Sequence, residues 1–166
     1  MIQVMRAGLR EMRVEDLDAV MDIERRAYEF SWSRGNFVDS MAAGYIAQVL
    51  CDEQSQLQGY FVAMAGVDEM HLLNITVEPR LQGRGLGLQL LDGVLLSATV
   101  HGAGLLWLEV RPSNRRALEL YERYGLHAVA RRRAYYPALV DGRAAREDAI
   151  VMSSPVENLR QRRGMD

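Results

Sequence analysis

The sequence predicts a mixed α/β fold, and two stretches of the chain indicate it. Residues 72–77 form a predicted strand that passes through a Pro-containing turn into a glycine-rich segment and a helix. Residues 105–110 are almost continuously hydrophobic, which is typical of a strand buried on both faces of a sheet, and a second capped helix follows them. Strands and helices therefore follow one another along this part of the chain.

Length and composition limit the number of domains and the cellular compartments that this chain is expected to have. A chain of 166 residues is long enough for one well-buried domain and short for two. It has no apolar run long enough to span a membrane, and residues 1–12 lack the apolar core of a signal peptide. We therefore expect a cytoplasmic protein without membrane contact, with one domain over residues 1–153 and a basic, mobile tail over residues 154–166.

The net charge of −2 hides an asymmetry along the chain. Residues 1–110 carry 8 arginines and 15 acidic residues, whereas residues 111–166 carry 12 arginines and 7 acidic residues. A basic C-terminal third is consistent with an anionic cofactor or a ribosomal or nucleic-acid neighbour. It is equally consistent with arginines on solvated helix faces.

The N-terminal part predicts a strand and two helices. Residues 8–12 are a candidate first strand, and apolar residues at helical spacing predict an amphipathic helix over residues 15–28. Glu24 falls on the apolar face of that helix, where a carboxylate is costly without a partner. It either contacts a cationic substrate amine or pairs with a nearby arginine. Ser33 is a candidate N-cap for a second helix.

The middle of the chain predicts a β-hairpin and a long helix. The apolar runs 45–51 and 57–65 flank a short polar segment, which is a hairpin signal. Cys51 is the chain's single cysteine, so a disulfide framework and a cysteine-based metal site are excluded, and a buried inert thiol is preferred to a nucleophile. His71 and His101 have no partner at metal-ligand spacing, so we expect no metal.

The glycine-rich segment predicts an anion site. Gly83, Gly85 and Gly87 alternate at the start of the helix over residues 86–100, where backbone N–H groups and the helix dipole favour phosphate. All 20 basic residues are arginine, so a P-loop with its lysine is excluded. Leu88 stands where a dinucleotide fingerprint needs its third glycine. What remains is Q-x-x-G-x-G, and an ordinary glycine-rich turn is the alternative.

Two residues of the C-terminal part are candidates for proton transfer. Glu109 is the only charge in its hydrophobic strand, so we expect a raised pKa and a role as general base. The alternative is a carboxylate neutralised by Arg111. Ser113 is the predicted N-cap of the next helix and Gly125 its end. On that helix Tyr121 points toward the sheet, either as a functional phenol or as a packed core residue.

The last part of the predicted domain contains two strands, over residues 127–135 and 148–152, joined by a polar loop. Taken with this arrangement, the motifs NITVEP, QGRGLG, LEVRPSN, ALELYERYG and RRRAYYP…REDAIVM occur in a specific order. They resemble the GNAT superfamily of acetyltransferases and, within it, the RimI-type ribosomal-protein-alanine N-acetyltransferases. The resemblance covers about residues 8–153. It implies a twisted, mixed sheet of six to seven strands with helices on both faces and a splayed central strand pair.

The resemblance also implies roles for individual residues. Acetyl-coenzyme A is the implied cosubstrate, its pyrophosphate held by the backbone of Gln82, Gly83, Arg84, Gly85, Leu86 and Gly87, with further contacts from Ile75, Val77 and Asn114. Glu109 matches the general base of the family and Tyr121 its general acid. Glu24, Tyr135 and Tyr136 match residues that line the peptide groove.

The implied substrate is the N-terminal α-amine of a small-subunit ribosomal protein, without direct nucleic-acid contact, and a monomer is favoured. The loop over residues 138–146 is longer than the family pattern, which leaves the substrate preference open. Two alternatives remain, namely a GNAT enzyme that acetylates a small-molecule amine and a catalytically silent acyl-coenzyme A sensor.

Overall fold

The computed structural model describes residues 8–165, which form seven strands and five α-helices. The strands are β1 (Gly8–Glu11), β2 (Ile46–Cys51), β3 (Leu57–Gly66), β4 (Glu69–Val77), β5 (Leu105–Val110), β6 (His127–Val140) and β7 (Arg143–Pro155). The helices are α1 (Leu17–Ala27), α2 (Arg34–Ala42), α3 (Leu86–Val100), α4 (Arg115–Tyr124) and α5 (Val156–Arg163).

The strands follow the order β1-β2-β3-β4-β5-β7-β6 in one mixed sheet. β4 and β5 are parallel, with Glu69 opposite Leu105 and Leu72 opposite Leu108. The pairs β1–β2, β2–β3, β5–β7 and β6–β7 are antiparallel. The predicted mixed sheet is therefore confirmed, while the helix layers and the splay between central strands stay predictions.

The described chain divides into two compact units. The N-terminal unit contains the residues up to Met64 together with Leu73–Val94, and the C-terminal unit contains Ala65–Leu72 together with the residues from Leu95 onward. The prediction of a single domain stays a prediction. No helix in residues 8–165 combines the length and the apolarity needed to cross a membrane.

The core of the N-terminal unit forms where α1, α2, β2 and β3 pack together. α1 buries Leu17, Val20 and Met21 at helical spacing, because residues three and four apart share one helix face. Ser33 caps α2 as predicted: its hydroxyl accepts from the Asn36 N–H at 3.1 Å, and the Asn36 side chain accepts from the Ser33 N–H at 2.9 Å. The buried set is Met12, Leu17, Val20, Met21, Ile23, Phe37, Ala47, Val49, Cys51, Tyr60 and Val62.

The C-terminal unit contains two features that the sequence analysis missed. The predicted polar loop over residues 138–146 is wrong, because β6 and β7 continue to a two-residue turn. Asp141 and Gly142 have φ angles of 51° and 75°, the left-handed pair that a tight hairpin turn requires. The predicted mobile tail is also wrong, since α5 buries Val156 and Leu159. A helix of two turns with two apolar residues gives too little periodicity to be recognised from sequence.

Asp16 joins β1 to the start of α1. Arg10 donates to both of its carboxylate oxygens, at 2.8 and 2.7 Å, and the Arg13 N–H donates to Oδ2 at 2.7 Å. The Arg10 hydrogen bonds are the main reason that the pKa of Asp16 lies below its ordinary value, although partial burial opposes them. The ionised carboxylate therefore stabilises the folded state.

We predict that Asp16→Asn lowers the free energy of unfolding by about 1 kcal/mol at neutral pH, since it removes a charge-assisted bidentate pair that is partly solvent-screened. Because the pKa of Asp16 is lower in the folded state than in the unfolded state, its carboxylate stabilises the fold at pH values above the unfolded pKa. This stabilisation is lost as the pH falls through the folded-state pKa. The difference between wild type and variant should therefore vanish in acid. Urea denaturation over a pH series measures it, with Asp22→Asn on the exposed face of α1 as control. An equal loss at every pH would contradict this origin.

Candidate active site

The predicted anion loop lies in the N-terminal unit and has the backbone that its glycines suggest. Gly83 and Gly85 have φ angles of 82° and 80°, and α3 begins at Leu86. A Cβ added at either glycine would meet no atom within 4 Å. The glycines are therefore required by the left-handed backbone and not by lack of space. The loop is exposed and ends at the N–H groups of the first turn of α3, which suits a pyrophosphate.

Glu78 holds the turn that leads into this loop. Its buried carboxylate accepts from the Arg80 N–H and forms an ion pair with Arg26 of α1. Burial opposes ionisation, but the Arg26 and Arg80 hydrogen bonds prevail and lower the pKa of Glu78 below its ordinary value. An ionised Glu78 thus fixes the backbone just before the glycines.

Glu24 lies inside the N-terminal unit with 1% of its surface exposed. Its Oε1 accepts from the Tyr60 hydroxyl at 2.7 Å and from Asn74 Nδ2 at 3.0 Å, and its Oε2 accepts from the Trp32 N–H at 3.1 Å. These three donors are neutral, and none of them is an arginine, so the predicted pairing of Glu24 with a nearby arginine is wrong. The contacts describe a structural carboxylate, and a contact with substrate stays a prediction.

The strand residues predicted to bind the cofactor lie on β4. The Ile75 carbonyl accepts from the Tyr28 hydroxyl at 2.9 Å, and Thr76 Oγ1 lies 2.8 Å from the same hydroxyl. Burial raises the pKa of Tyr28 to about 12, so it remains a donor at neutral pH. Tyr28 therefore fixes the backbone of β4 at Ile75, which lies two residues before Val77.

Glu109 lies in the C-terminal unit, on the half-open face of β5. Burial alternates along this strand, with Leu106, Leu108 and Val110 buried and the residues between them only partly so. The prediction that both faces are buried is therefore wrong. Glu109 Oε1 lies 2.9 Å from His71 Nε2, and the His71 ring stacks on Trp107 with ring centroids 3.6 Å apart and an interplanar angle of 9°.

The pKa of Glu109 lies below its ordinary value, so the predicted raised pKa is wrong. The close contact with His71 is the main cause of the lowered pKa; burial opposes it, and the Tyr135 hydroxyl and the charge of Arg132 add to it. Arg111, the suggested neutralising partner, donates to the Pro137 carbonyl at 2.8 Å. The sequence could not show that a histidine and a tyrosine from other strands reach this carboxylate.

His71 is a further residue of this site, and its place beside Glu109 was not predicted from the sequence, where its spacing argued only against a role as metal ligand. A signal was available in the strand register. His71 and Trp107 are each the third residue of their strand, and the parallel pairing sets them side by side. Within residues 8–165, no group of three or more His, Cys, Asp or Glu side chains could hold a metal ion. Cys51 is buried, which raises the pKa of its thiol and agrees with an inert residue.

Tyr135 and Tyr136 lie together at an irregularity of β6. Their rings meet edge to face at 4.8 Å, and the pairing with β7 shifts between Arg132 and Tyr136. Ala134 has a φ of 50° at this β-bulge, with its N–H bonded to Asp148 at 2.9 Å. The hydrogen bond to Glu109 raises the pKa of Tyr135, and burial raises that of Tyr136. Both phenols are therefore neutral donors.

The helix α4 carries the remaining candidates. Its N-cap is Asn114 and not Ser113 as predicted, because the Asn114 side chain accepts from the Ala117 N–H at 3.3 Å. Ser113 instead donates to Glu147 at 2.7 Å. Tyr121 is buried with 7% of its surface exposed, and Gly125 ends the helix as predicted. The proposed roles of Asn114 and Tyr121 stay predictions.

The acetyltransferase (GNAT) family matches residues 17–126, and the chain therefore belongs to this family. A ribosomal protein bS18-alanine N-acetyltransferase of Escherichia coli is 36% identical over 148 residues, which cover 89% of this chain and 97% of that enzyme. The prediction of an acetyl-coenzyme A-dependent N-acetyltransferase that resembles RimI-type enzymes is thereby confirmed.

Solved structures agree with this assignment. The ribosomal-protein-alanine N-acetyltransferase from Escherichia coli has a TM-score of 0.81 and 35% identity, covering 91% of this chain and 94% of that chain. A nourseothricin acetyltransferase has a TM-score of 0.60 and 28% identity, covering 68% of this chain and 65% of that chain. The fold is thus shared between enzymes named for a protein substrate and one named for an antibiotic.

We predict that Gly85→Val weakens acetyl-coenzyme A binding about tenfold, because a β-branched residue at this left-handed position strains the loop by one or two kcal/mol. Isothermal titration with acetyl-coenzyme A measures the effect. Gly102→Val is the matched control, since Gly102 has a φ of 69° and open space around it at the far end of α3. Unchanged affinity in Gly85→Val would refute the phosphate-site assignment.

Proposed function

We propose that the protein transfers the acetyl group of acetyl-coenzyme A to the N-terminal α-amine of a protein, and that the substrate is the N-terminal alanine of a small-subunit ribosomal protein. The 36% identity to an enzyme named for that reaction, over 97% of its length, is the observation that carries the proposal. The protein substrate, the cytoplasmic location and the monomeric state are predictions on the same basis.

The residues around the glycine loop fit the cosubstrate. Backbone N–H groups from Gln82 to Gly87, with the exposed side chain of Arg84, hold the pyrophosphate in this proposal. Ile75, Val77 and Asn114 contribute the remaining contacts. Bound acetyl-coenzyme A supplies the acetyl thioester that the amine attacks.

The substrate amine must lose a proton before it can attack. An α-amine has a pKa of about 7.7–8.0, so much of it is protonated at neutral pH. Glu109 is held ionised by its neighbours and can draw this proton, directly or through a water molecule. Glu109 is therefore the proposed carboxylate of the general base.

The departing thiolate must gain a proton. A phenol with an ordinary pKa of about 10 keeps its proton at neutral pH and can donate it as charge develops on sulfur. Tyr121 is the proposed donor. Direct transfer needs no acetyl-enzyme, which agrees with the buried Cys51.

The peptide groove is proposed to include Tyr135 and Tyr136. Tyr135 is 41% exposed and its hydroxyl bonds to Glu109, so it can contact a peptide beside the proposed base. Glu24 accepts hydrogen bonds from the Tyr60 hydroxyl and the Trp32 N–H within the N-terminal unit. These bonds must break before Glu24 can take its proposed role in the peptide groove.

The first test of this function uses an Ala-initiated peptide of a small-subunit ribosomal protein, incubated with the protein and acetyl-coenzyme A. We expect one added acetyl group on the α-amine, located by tandem mass spectrometry. The same peptide with a blocked N-terminus and an internal lysine is the control and should stay unmodified. Acetylation of nourseothricin or small amines without peptide product would favour the small-molecule alternative, and cofactor binding without any product would favour the sensor.

We predict that Glu109→Gln and Tyr121→Phe each lower kcat about 100-fold or more while the Kd for acetyl-coenzyme A changes little, because each removes one proton-transfer group. Steady-state kinetics and titration measure the two quantities. Glu119→Gln on the exposed face of α4 and Tyr124→Phe in its buried face are matched controls that should keep full activity. Full activity in either active-site variant at neutral pH would show that its assigned role is wrong.

A further inference from the structure

Tyr28 connects the end of α1 to the strand that carries two of the proposed cofactor contacts. It is the C-cap residue of α1, and its N–H donates to the Glu24 carbonyl at 3.1 Å. Its hydroxyl donates to the Ile75 carbonyl of β4 at 2.9 Å and lies 2.8 Å from Thr76 Oγ1. All of these residues belong to the N-terminal unit. A side chain at the end of α1 is therefore bonded directly to the backbone of β4.

A buried chain of hydrogen bonds fixes the position of this tyrosine. Glu24 lies one turn before Tyr28 on the same helix face, and Asn74 Nδ2 of β4 donates to Glu24 at 3.0 Å. Because this amide nitrogen faces Glu24, the Asn74 side-chain oxygen faces Thr76, whose hydroxyl donates to it at 2.8 Å. The helix is therefore attached to β4 at two points that are one turn apart.

The protons in this chain show what each hydroxyl can bind. Thr76 has a single hydroxyl proton, which it gives to Asn74. The Ile75 carbonyl is an acceptor, so its bond uses the single hydroxyl proton of Tyr28. Thr76 Oγ1 is a second acceptor within reach of that same proton. Removal of the Thr76 hydroxyl would therefore remove a competitor and leave the bond between Tyr28 and Ile75.

Two contacts show which residues of β4 direct their backbone groups at β3. The Glu78 N–H donates to the Gln58 carbonyl of β3 at 2.8 Å. A Cβ added at Gly59 of β3 would lie 2.6 Å from the Thr76 carbonyl oxygen. The backbone groups of Thr76 and Glu78, two residues apart, therefore face β3.

Ile75 and Val77 direct their backbone groups to the opposite edge of β4, because the N–H and C=O groups of successive strand residues alternate between the two edges. The register of β4 with β5 runs from Glu69 to Leu72, so both residues lie beyond it. With the Ile75 carbonyl bonded to Tyr28, the N–H groups of Ile75 and Val77 are donors that point to this edge. Such donors suit carbonyl oxygens, and the arm of acetyl-coenzyme A carries amide carbonyls and a thioester carbonyl.

We propose that Tyr28 is a positioning residue for the arm of acetyl-coenzyme A. Its bond to the Ile75 carbonyl limits rotation of the peptide unit between Ile75 and Thr76, and so directs the N–H groups of Ile75 and Val77 at the carbonyl oxygens of the arm. This inference rests on the proposed function, in which Ile75 and Val77 contact the cofactor. The pyrophosphate is bound elsewhere in that proposal, at the glycine loop.

The deciding experiment separates the arm of the cofactor from its pyrophosphate. Isothermal titration of the full chain uses acetyl-coenzyme A and, as a second probe, ADP, which has the pyrophosphate but no arm. We expect Tyr28→Phe to raise the Kd for acetyl-coenzyme A about five- to tenfold, the effect of one lost hydrogen bond, and to leave the Kd for ADP within about twofold of wild type. An equal loss of affinity for both ligands, or an unchanged affinity for acetyl-coenzyme A, would overturn the proposal.

Two variants serve as controls for a merely structural effect. Thr76→Val breaks the same buried chain but leaves Tyr28 bonded to the Ile75 carbonyl, so we expect the Kd for acetyl-coenzyme A to stay within about twofold even if thermal unfolding shows a loss of stability. Tyr45→Phe changes a tyrosine that packs against the core of the same unit and should keep both affinities. If Thr76→Val weakens acetyl-coenzyme A binding as much as Tyr28→Phe, a general loosening of β4 explains both results and the proposal is wrong.

A second measurement uses the wild type and depends on no variant. Amide hydrogen exchange at Ile75 and Val77, followed by NMR, should slow when acetyl-coenzyme A is added and should not slow with ADP. Unchanged exchange at both amides under saturating acetyl-coenzyme A would overturn the proposal.

The binding measurements need no turnover, so they separate this inference from the proposed function. A chain that shows the selective effect of Tyr28→Phe but acetylates no peptide would refute the proposed function alone. A chain that acetylates the peptide but loses no selective affinity in Tyr28→Phe would refute this inference alone.

Discussion

The parallel pairing of β4 with β5 is the constraint on which the chemistry of the C-terminal unit depends. It places His71 opposite Trp107 and brings the imidazole to the carboxylate of Glu109, two residues further along β5. Side chains on one face of a strand recur every second residue, so a shift of one residue would move all three to other neighbours or to the opposite face. The buried residues between them, Leu106 and Leu108, hold this register because they must face the core.

One buried and one partly buried glutamate show how the surroundings of a residue decide its role. Glu24 accepts hydrogen bonds from Tyr60, Asn74 and the backbone of Trp32, and these neutral donors satisfy both of its oxygens within the N-terminal unit. Such a carboxylate joins α1 to β3 and β4, and it is expensive to disturb. Glu109 instead contacts a histidine, a group that can change its own charge. That difference favours Glu109 and not Glu24 as the centre of proton transfer.

Local rules predicted the parts of the fold that local chemistry controls. The start of α3 at Leu86, the cap at Ser33 and the stop at Gly125 follow from glycine and hydroxyl side chains acting on the nearest backbone. The errors fall where distant contacts decide. Ser113 could cap α4, but Glu147 of another strand engages its hydroxyl. The pKa of Glu109 was predicted from its own strand, whereas His71 and Tyr135 set its direction.

The β-bulge of β6 between Arg132 and Tyr136 was not predicted from the sequence, and it positions two tyrosines of the candidate site. A non-glycine residue such as Ala134 adopts a left-handed backbone only when its surroundings fix it, and here Asp148 binds its N–H and Arg146 its carbonyl. The bulge turns Tyr135 out of the regular alternation, and its hydroxyl reaches Glu109. A regular hairpin would send successive side chains to alternate faces and could not present Tyr135 and Tyr136 together. Strain at one alanine thus supports both the orientation of the proposed base and the aromatic wall beside it.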